Sequence, residues 1–329
     1  MALDLAQTLA WVEYSRGDYQ EARRLLAQAL AYAEGLIDTH IYAELSLSQG
    51  NFIGSMGDLA ASRTLCEQAY ILFKKLGDKH GEIDALVNLG WVAREQGDAA
   101  TARVLLEQGG ALSREHSDTP ELIHALMTLA EVAVLEEDAA SAKTLLDECL
   151  ALSWERKDPQ EIGWTLNHLG HVAQLHGDYD RAAQLHAESL ALLLDLLGEK
   201  NGGVAEAWQS LGETALGQGD LAAARGWLTA ALRLCDELGN RITIAWCLAG
   251  LGSAAALDEE PERAARLWGA AERLRAALGC RPAPAARATY ERAMANARAQ
   301  LGEEAFAAAW AEGCAMTLEQ TIAEGLAPS

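Results

Sequence analysis

The sequence has few prolines, few phenylalanines and no long apolar run. Six prolines and three phenylalanines occur among 329 residues, and valine and isoleucine are sparse beside alanine and leucine. This composition favours helices over strands. Because no run of about 18 apolar residues occurs, we expect no membrane-spanning helix. The first residues lack the basic segment that begins a signal peptide, so we expect no secretion signal.

Basic residues and paired cysteines are also scarce. The chain carries 26 Lys and Arg against 48 Asp and Glu, a net charge of -22. Such a charge repels phosphate backbones, so we expect no direct binding to nucleic acid. No C-x-x-C motif occurs, which indicates buried thiols in a reducing, cytoplasmic compartment rather than a disulfide framework or a metal site. The six cysteines are Cys66, Cys149, Cys235, Cys247, Cys280 and Cys314.

The sequence does contain a turn motif that recurs along the whole chain, as in RGDYQEA and QGDLAAA. Its acidic anchors are separated by 40, 40, 40, 40, 42 and 40 residues, and they are Asp18, Asp58, Asp98, Asp138, Asp178, Asp220 and Glu260. A glycine before the anchor can end one helix in the left-handed conformation, and the aspartate can cap the next helix. The period therefore predicts seven helical hairpins. Glu137 and Glu259 replace the glycine, which predicts either looser turns or local backbone strain there.

Small residues recur in register with the anchors. The position four residues after each anchor is occupied by Ala22, Ser62, Ala102, Ala142, Ala182, Ala224 and Ala264. The position eight residues before it is occupied by Ala10, Gly50, Gly90, Ala130, Gly170, Gly212 and Gly252. Small side chains let two helices approach closely, and stacked hairpins bury the apolar faces that a single hairpin cannot. On the second helices, Trp154, Trp227 and Trp268 are expected to pack between hairpins.

These features resemble the tetratricopeptide repeat (TPR) family. The match lies in the small residue before the turn, the Gly-Asp turn and two small positions on the second helix, with Trp208 at the family's aromatic position. The resemblance implies an all-α fold, a right-handed TPR superhelix (α-solenoid) of seven hairpins followed by capping helices. The period exceeds the family's ~34 residues, so both helices are expected to be longer. The predicted repeats are 1–37, 38–77, 78–117, 118–157, 158–199, 200–239 and 240–278, followed by capping helices over 279–329.

The last 70 residues carry a second resemblance. ERAARLWGAAERLRAALG and the segment after it are similar to the end of the sensor region in STAND-type ATPase regulators of the LuxR kind. The resemblance implies a sensor arm of a larger regulator, with its parent ATPase and DNA-binding domains outside this chain, which has no G-x-x-x-x-G-K-[ST] motif. Thr317 and Gln320 predict a capping box for the last helix. The side chains expected to cover the last repeat are Tyr290, Phe306, Trp310, Leu318 and Ile322.

By the TPR resemblance, a partner would bind in a concave channel lined by the first helix of each hairpin. That helix face carries tryptophan, histidine, amide and acidic side chains, which can stack on and hydrogen-bond a peptide or a small-molecule effector. The acids favour a cationic or polyhydroxylated partner. A solvated channel lined by long polar residues is the simpler alternative for any single position. The candidate binding residues are Trp91, His124, Glu131, Trp164, Asn167, His171, Gln209 and Glu213.

No sequence motif indicates catalysis, a cofactor or a metal. G-x-S-x-G and H-E-x-x-H are absent, and His168 and His171 lack a convergent third ligand. We therefore expect a non-catalytic binding domain, either the sensor or effector-binding arm of a signal-responsive transcriptional regulator or a freestanding scaffold that grips a peptide. A row of bases follows the anchors by five residues and is expected to pair with nearby acids, although a docking strip for an acidic partner is the alternative. The row comprises Arg23, Arg63, Arg103, Lys143 and Arg225.

Overall fold

A computed structural model describes residues 19–33, 39–280 and 287–327. The first helix of the first predicted hairpin, the anchor Asp18, and Pro282 and Pro284 lie outside these residues. The described residues form helices joined by short turns and contain no strand, which confirms the predicted all-α class with repeated hairpins. None of the described helices is long and apolar enough to cross a membrane.

First and second helices of the repeats alternate along the chain. One short turn joins the two helices of a hairpin, and another leads to the next hairpin. Their bounds are α1 Tyr19–Ala33, α2 His40–Ser55, α3 Leu59–Leu76, α4 Lys79–Glu95, α5 Ala99–His116, α6 Thr119–Leu135, α7 Ala139–Arg156, α8 Pro159–Leu175, α9 Tyr179–Leu197, α10 Gly202–Gln218, α11 Leu221–Leu238, α12 Arg241–Leu257, α13 Pro261–Leu278, α14 Arg287–Leu301, α15 Glu303–Ala315 and α16 Leu318–Leu326.

The chain divides into two compact units. Unit 1 spans Met1–Glu161 and unit 2 spans Ile162–Ser329. In unit 1 the hairpins are α2/α3, α4/α5 and α6/α7, and in unit 2 the hairpins α10/α11 and α12/α13 pack in the same way. The capping helix α15 packs against α13, and α16 packs against α11, α12 and α13.

The glycine eight residues before the anchor lets the two helices of a hairpin touch. A Cβ atom built on Gly90 would lie 2.5 Å from Leu106 Cγ, and one built on Gly212 would lie 2.5 Å from Leu228 Cγ. The residue eight after the anchor is therefore the side chain that fills the hairpin, and it is fully buried in every hairpin. These residues are Leu26, Cys66, Leu106, Leu146, His186, Leu228 and Trp268.

The turns confirm the predicted caps with one exception. The carboxylate of Asp98 accepts a hydrogen bond from Thr101 N at 3.1 Å, and Asp58, Asp138, Asp178 and Asp220 cap their helices in the same way. Glu260 makes no such bond. Its side chain is one methylene longer, and it accepts instead from Arg263 Nη1 at 3.1 Å.

The predicted strain lies where the glycine is missing. Glu137 and Glu259 both have φ of 61°, in the left-handed region that glycine occupies in the equivalent turns. A side chain there costs about 1 kcal/mol relative to glycine because its Cβ crowds the following carbonyl oxygen.

The C-terminal cap covers the last hairpin as predicted. Trp268 is fully buried, and its ring contacts Tyr290 at 5.5 Å and Phe306 at 6.4 Å between ring centroids. Phe306 stacks in turn on Trp310 at 5.8 Å. The capping box of Thr317 and Gln320 is present. By contrast, the prediction that Trp154 packs between hairpins is wrong, because its side chain is 62% exposed.

Candidate functional site

The first helices of each unit present a face of polar and aromatic side chains. We call the residues Asp84, Trp91, Arg94, Glu121, His124 and Glu131 the unit 1 face, because they lie on α4 and α6. The unit 2 face comprises Trp164, Asn167, His171, Gln209, Ser210 and Glu213 on α8 and α10. Three of the eight predicted binding residues belong to the unit 1 face and five to the unit 2 face, so each face is described by itself.

An arginine between two carboxylates organises one end of the unit 1 face. Arg94 Nη2 lies 3.0 Å from Glu131 Oε2, and Arg94 Nη1 lies 3.1 Å from Glu95 Oε1. Only 12% of the Arg94 side chain is exposed. Burial raises the pKa of both carboxyl groups, and the Arg94 charge opposes that rise. The predicted residue Glu131 therefore already has a cationic partner within the chain.

His124 lies at the other end of the unit 1 face among carboxylates. Its Nδ1 is 3.7 Å from Glu121 Oε2. Burial lowers the pKa of His124, but the charges of Glu121, Asp84 and Glu161 outweigh it, so the pKa is raised overall. Asp84 accepts a hydrogen bond from Asn88 Nδ2 at 2.6 Å. Burial, together with the charge of Glu121, raises the pKa of Asp84 to about 7.

Trp91, at the centre of α4, is half-buried because its ring rests on a glycine of α2. A Cβ atom built on Gly54 would lie 2.8 Å from a carbon of the Trp91 ring. Trp164 makes a similar contact in unit 2, where a Cβ on Gly203 would lie 3.0 Å from the indole Nε1. Both tryptophans therefore combine packing against a neighbouring hairpin with a partly exposed ring.

In unit 2, Asn167 faces the interior of its own hairpin. Its Oδ1 lies 2.7 Å from His186 Nδ1, and Asn167 is only 6% exposed. Burial, with the neighbouring His171 and His168, holds the pKa of His186 well below its usual value. The ring is therefore neutral, and the Asn167 oxygen accepts a hydrogen bond from the Nδ1–H group. His186 stands at the position that other hairpins fill with an apolar side chain, a cysteine or tryptophan.

His171 and Gln174 join α8 to α10. His171 Nε2 lies 2.9 Å from Ser210 Oγ, and Gln174 Nε2 donates to Thr214 Oγ1 at 2.7 Å. The ring of His171 also lies 5.2 Å from the ring of His186 between centroids. Neither bond involves a carboxylate, a lysine or an arginine, so these two helices of unit 2 are joined here by amide, hydroxyl and imidazole groups.

Glu213 is a buried carboxyl group on α10. It is 6% exposed, and Gln209, one turn earlier, is 3% exposed. Burial raises the pKa of Glu213 to about 8, and a hydrogen bond from Gln209 opposes only part of that rise. At neutral pH this side chain is therefore mostly protonated, and it can donate as well as accept a hydrogen bond.

Sequence reasoning missed three residues of these faces. Arg94 is the one base among the residues four before each anchor, and Glu121 recurs as Glu161 one period later. His186 is the one imidazole among the buried residues that lie eight positions after each anchor. A register comparison at these three positions would have found them.

The row of bases on the second helices is paired rather than free. Arg63 donates to Glu67 at 3.0 Å and to Gln96 at 3.1 Å, and Lys143 bonds Asp147 at 2.6 Å. Arg225 lies 2.6 Å from Asp258, and Arg103 bonds Glu136. The prediction of an acid-paired ridge is confirmed for these four bases, while the side chain of Arg23 lies outside the described part of the chain.

Within the described residues, no group of three or more His, Cys, Asp or Glu side chains is arranged to hold a metal ion. All six cysteines are unpaired, and all but Cys314 are buried. Burial also raises the pKa of Cys66 to about 12, so this thiol stays protonated and unreactive.

The sequence matches family models for the tetratricopeptide repeat. One model matches residues 42–115 and 161–237, and a second matches residues 3–37. None of the curated proteins matches the sequence.

Solved structures share the fold at low sequence identity. A Rap protein complexed with competence and sporulation factor is 11% identical with a TM-score of 0.57, over 92% of this chain and 99% of that chain. The Rap conjugation gene regulator of plasmid pLS20, solved with the Phr* peptide, is 12% identical with a TM-score of 0.58, over 91% and 94%. A STAND protein with a tetratricopeptide repeat sensor from Pyrococcus horikoshii is 12% identical with a TM-score of 0.48, over 81% and 41%.

Proposed function

The chain belongs to the tetratricopeptide repeat family, and from that premise we propose that it is a non-catalytic scaffold that binds an extended peptide segment of a protein partner on the first-helix faces of its hairpins. The observation that carries the proposal is the kind of side chain on those faces. Glu213, Glu121 and Gln209 are buried although hydrophobic side chains of similar size would stabilise the helices more. Stability given up at such positions is typical of binding sites.

The fold supports this use. The pLS20 regulator was solved with a peptide bound, and it has the same fold as this chain over most of its length. From this likeness we take only the kind of ligand, a peptide, and not the residues that contact it. The contact residues proposed here are Trp91, His124, Glu131, Trp164, Asn167, His171, Gln209 and Glu213. Among them the partly exposed rings of Trp91 and Trp164 would stack on the partner, and the buried Asn167 would hold His186 in place.

The experiment uses an array of 12-residue peptides probed with the full chain. We expect Trp164→Ala to weaken the binding of an array-selected peptide by about 1–3 kcal/mol, because a tryptophan anchor contributes on that scale. Trp154→Ala is the matched control, since its side chain is exposed on a second helix, and it should leave affinity unchanged. Equal losses for both variants, or a loss that follows a lowered melting temperature, would contradict the proposal.

We further propose that this scaffold is the sensor or effector-binding arm of a signal-responsive transcriptional regulator. The support is the C-terminal segment from Pro261 onward, whose sequence resembles the sensor end of STAND-type regulators and whose helices α14 to α16 cover the last hairpins. Parent ATPase and DNA-binding domains would then read the bound state. A sensor of small molecules should show a ligand-dependent rise in melting temperature across a metabolite panel. A freestanding peptide scaffold should show none.

A further inference from the structure

Most buried carboxylates on the first helices of unit 1 have a cation from their own chain. Glu82 pairs with Lys79 at 2.7 Å, and Glu161 pairs with Arg156 at 3.1 Å. Glu95 pairs with Arg94 at 3.1 Å. This pairing is expected, because a carboxylate removed from water is costly unless a cation compensates.

Asp84 and Glu121 differ from these carboxylates. Among the described residues, neither forms an ion pair with a lysine or an arginine. Glu121 is only 9% exposed, and its Oε2 is buried without a hydrogen-bond partner. His124 forms an ion pair with that oxygen when its ring is protonated, but the 3.7 Å separation from Nδ1 is longer than a hydrogen bond. The two carboxyl groups repel each other as well, which adds to the effect of burial on the pKa of Asp84.

We propose that Asp84 and Glu121, with His124 at the rim, bind the guanidinium group of an arginine in the peptide partner, an inference that rests on the proposed peptide-binding function. A guanidinium presents a planar fork of donors that matches two carboxylates, and it would satisfy the buried oxygen of Glu121. The His124 side chain is 40% exposed, so the rim of the site faces solvent. The net charge of -22 draws basic peptides toward the chain.

The surroundings fit a peptide that continues past this site. Trp91 lies two helical turns beyond Asp84 on α4, about 10 Å along the helix axis. An extended peptide covers that distance in about three residues. An arginine held by Asp84 and Glu121 would therefore place a residue three positions away beside the Trp91 ring and the Arg94–Glu131 pair.

The test uses the full chain labelled with ¹⁵N at its eight histidines. The probes are the pentapeptide acetyl-Ala-Ala-Arg-Ala-Ala-amide and its citrulline counterpart, which has the same shape without charge. We expect the arginine peptide to shift the ring signals of His124, assigned with His124→Gln, in a saturable manner. Citrulline should bind about tenfold or more weakly, as expected for the loss of a charged hydrogen-bonded pair. Equal binding of the two peptides would overturn the proposal.

Two double variants with the same change of charge separate a specific site from diffuse attraction. Asp84→Asn/Glu121→Gln should weaken the arginine peptide about tenfold or more. Glu107→Gln/Glu115→Gln, at two exposed acids of α5, should weaken it about twofold at most because only screened charge is lost. Equal weakening by both would overturn the proposal. Asp84→Asn/Glu121→Gln relieves a repulsion, so it should fold, and circular dichroism and the melting temperature check that point.

The outcomes also separate this inference from the proposed function. Binding of neutral or acidic array peptides with no preference for arginine would overturn the arginine site and leave the peptide scaffold standing. Binding of no array peptide at all would count against both. A lysine version of the pentapeptide that binds as tightly as the arginine version would show a general cation site and overturn the guanidinium assignment.

Discussion

Glu131 of unit 1 and Glu213 of unit 2 occupy the same place in their repeats, seven residues before the anchor. Glu131 has Arg94 at 3.0 Å. In unit 2 the residue equivalent to Arg94 is Gln174, which bonds Thr214 instead. Burial raises the pKa of Glu213 to about 8, and a hydrogen bond from Gln209 opposes only part of that rise. One position in the preceding hairpin thus decides whether a face is built from ion pairs or from neutral hydrogen bonds.

The largest expected effect comes from removing the cation of unit 1. Arg94→Gln should lower the free energy of unfolding by about 3 kcal/mol at pH 7, because it leaves Glu95 and Glu131 buried without compensation. The loss should shrink toward pH 5, since both carboxyl groups have raised pKa values and protonation removes the uncompensated charge. Urea unfolding at the two pH values measures it.

Arg103→Gln is the matched control for that variant. Arg103 pairs with Glu136 on the surface, where about 40% of each side chain is exposed. Such a pair contributes less than about 1 kcal/mol. If the two arginine variants lost equal stability, unit 1 would not depend on its buried ion pairs and the contrast between the units would fail.

Replacing the buried carboxyl group of Glu213 in unit 2 should give a gain in stability of intermediate size. Glu213→Gln should raise the free energy of unfolding by about 2 kcal/mol at pH 7, because folding must hold this carboxyl group protonated while the unfolded chain ionises it. The gain should vanish as the pH falls toward about 4.5, where the unfolded carboxyl group is protonated too. Glu188→Gln, at an exposed acid of α9, should change nothing. A loss of stability in Glu213→Gln would show that the carboxyl group is compensated.

The smallest expected change in stability comes from the strained turns, and it should be the same in both units. Glu137→Gly in unit 1 and Glu259→Gly in unit 2 should each raise the melting temperature, by the equivalent of about 1 kcal/mol, because both residues have positive φ. Gly97→Ala, at an equivalent turn with φ of 75°, should have the opposite effect. A gain confined to one unit would show that the turns, and not only the faces, differ between the units.

Much of the fold could be predicted from the sequence, because it depends on local rules that repeat. The Asp98 cap, the small residue at Gly90 and the strain at Glu137 each follow from residues within a few positions of the anchor. Less of the candidate sites could be predicted, because a side chain's partner often belongs to the next hairpin. Arg94 and Glu131 are 37 residues apart, and only the packing of α4 on α6 brings them together.

Two errors have the same origin. Trp154 was assigned to packing because it is large and apolar, yet its side chain on α7 is 62% exposed. Glu260 has the charge of the aspartate anchors, but its side chain is one methylene longer and pairs with the Arg263 side chain, so the first turn of α13 has no side-chain cap. In both cases the type of residue alone was not enough to predict its contacts.

The bonds made by the bases on the second helices have a consequence for how the number of hairpins can change in evolution. Arg63 reaches Gln96, Arg103 reaches Glu136 and Arg225 reaches Asp258, each about 33 residues ahead, so every bond connects one hairpin to the turn of the next. A duplicated or deleted block of one full period can carry both halves of one such bond, because the two partners are closer in sequence than one period. Descendants of this sequence could thus gain or lose a hairpin in a single genetic event, and the length of partner they accommodate would change with it.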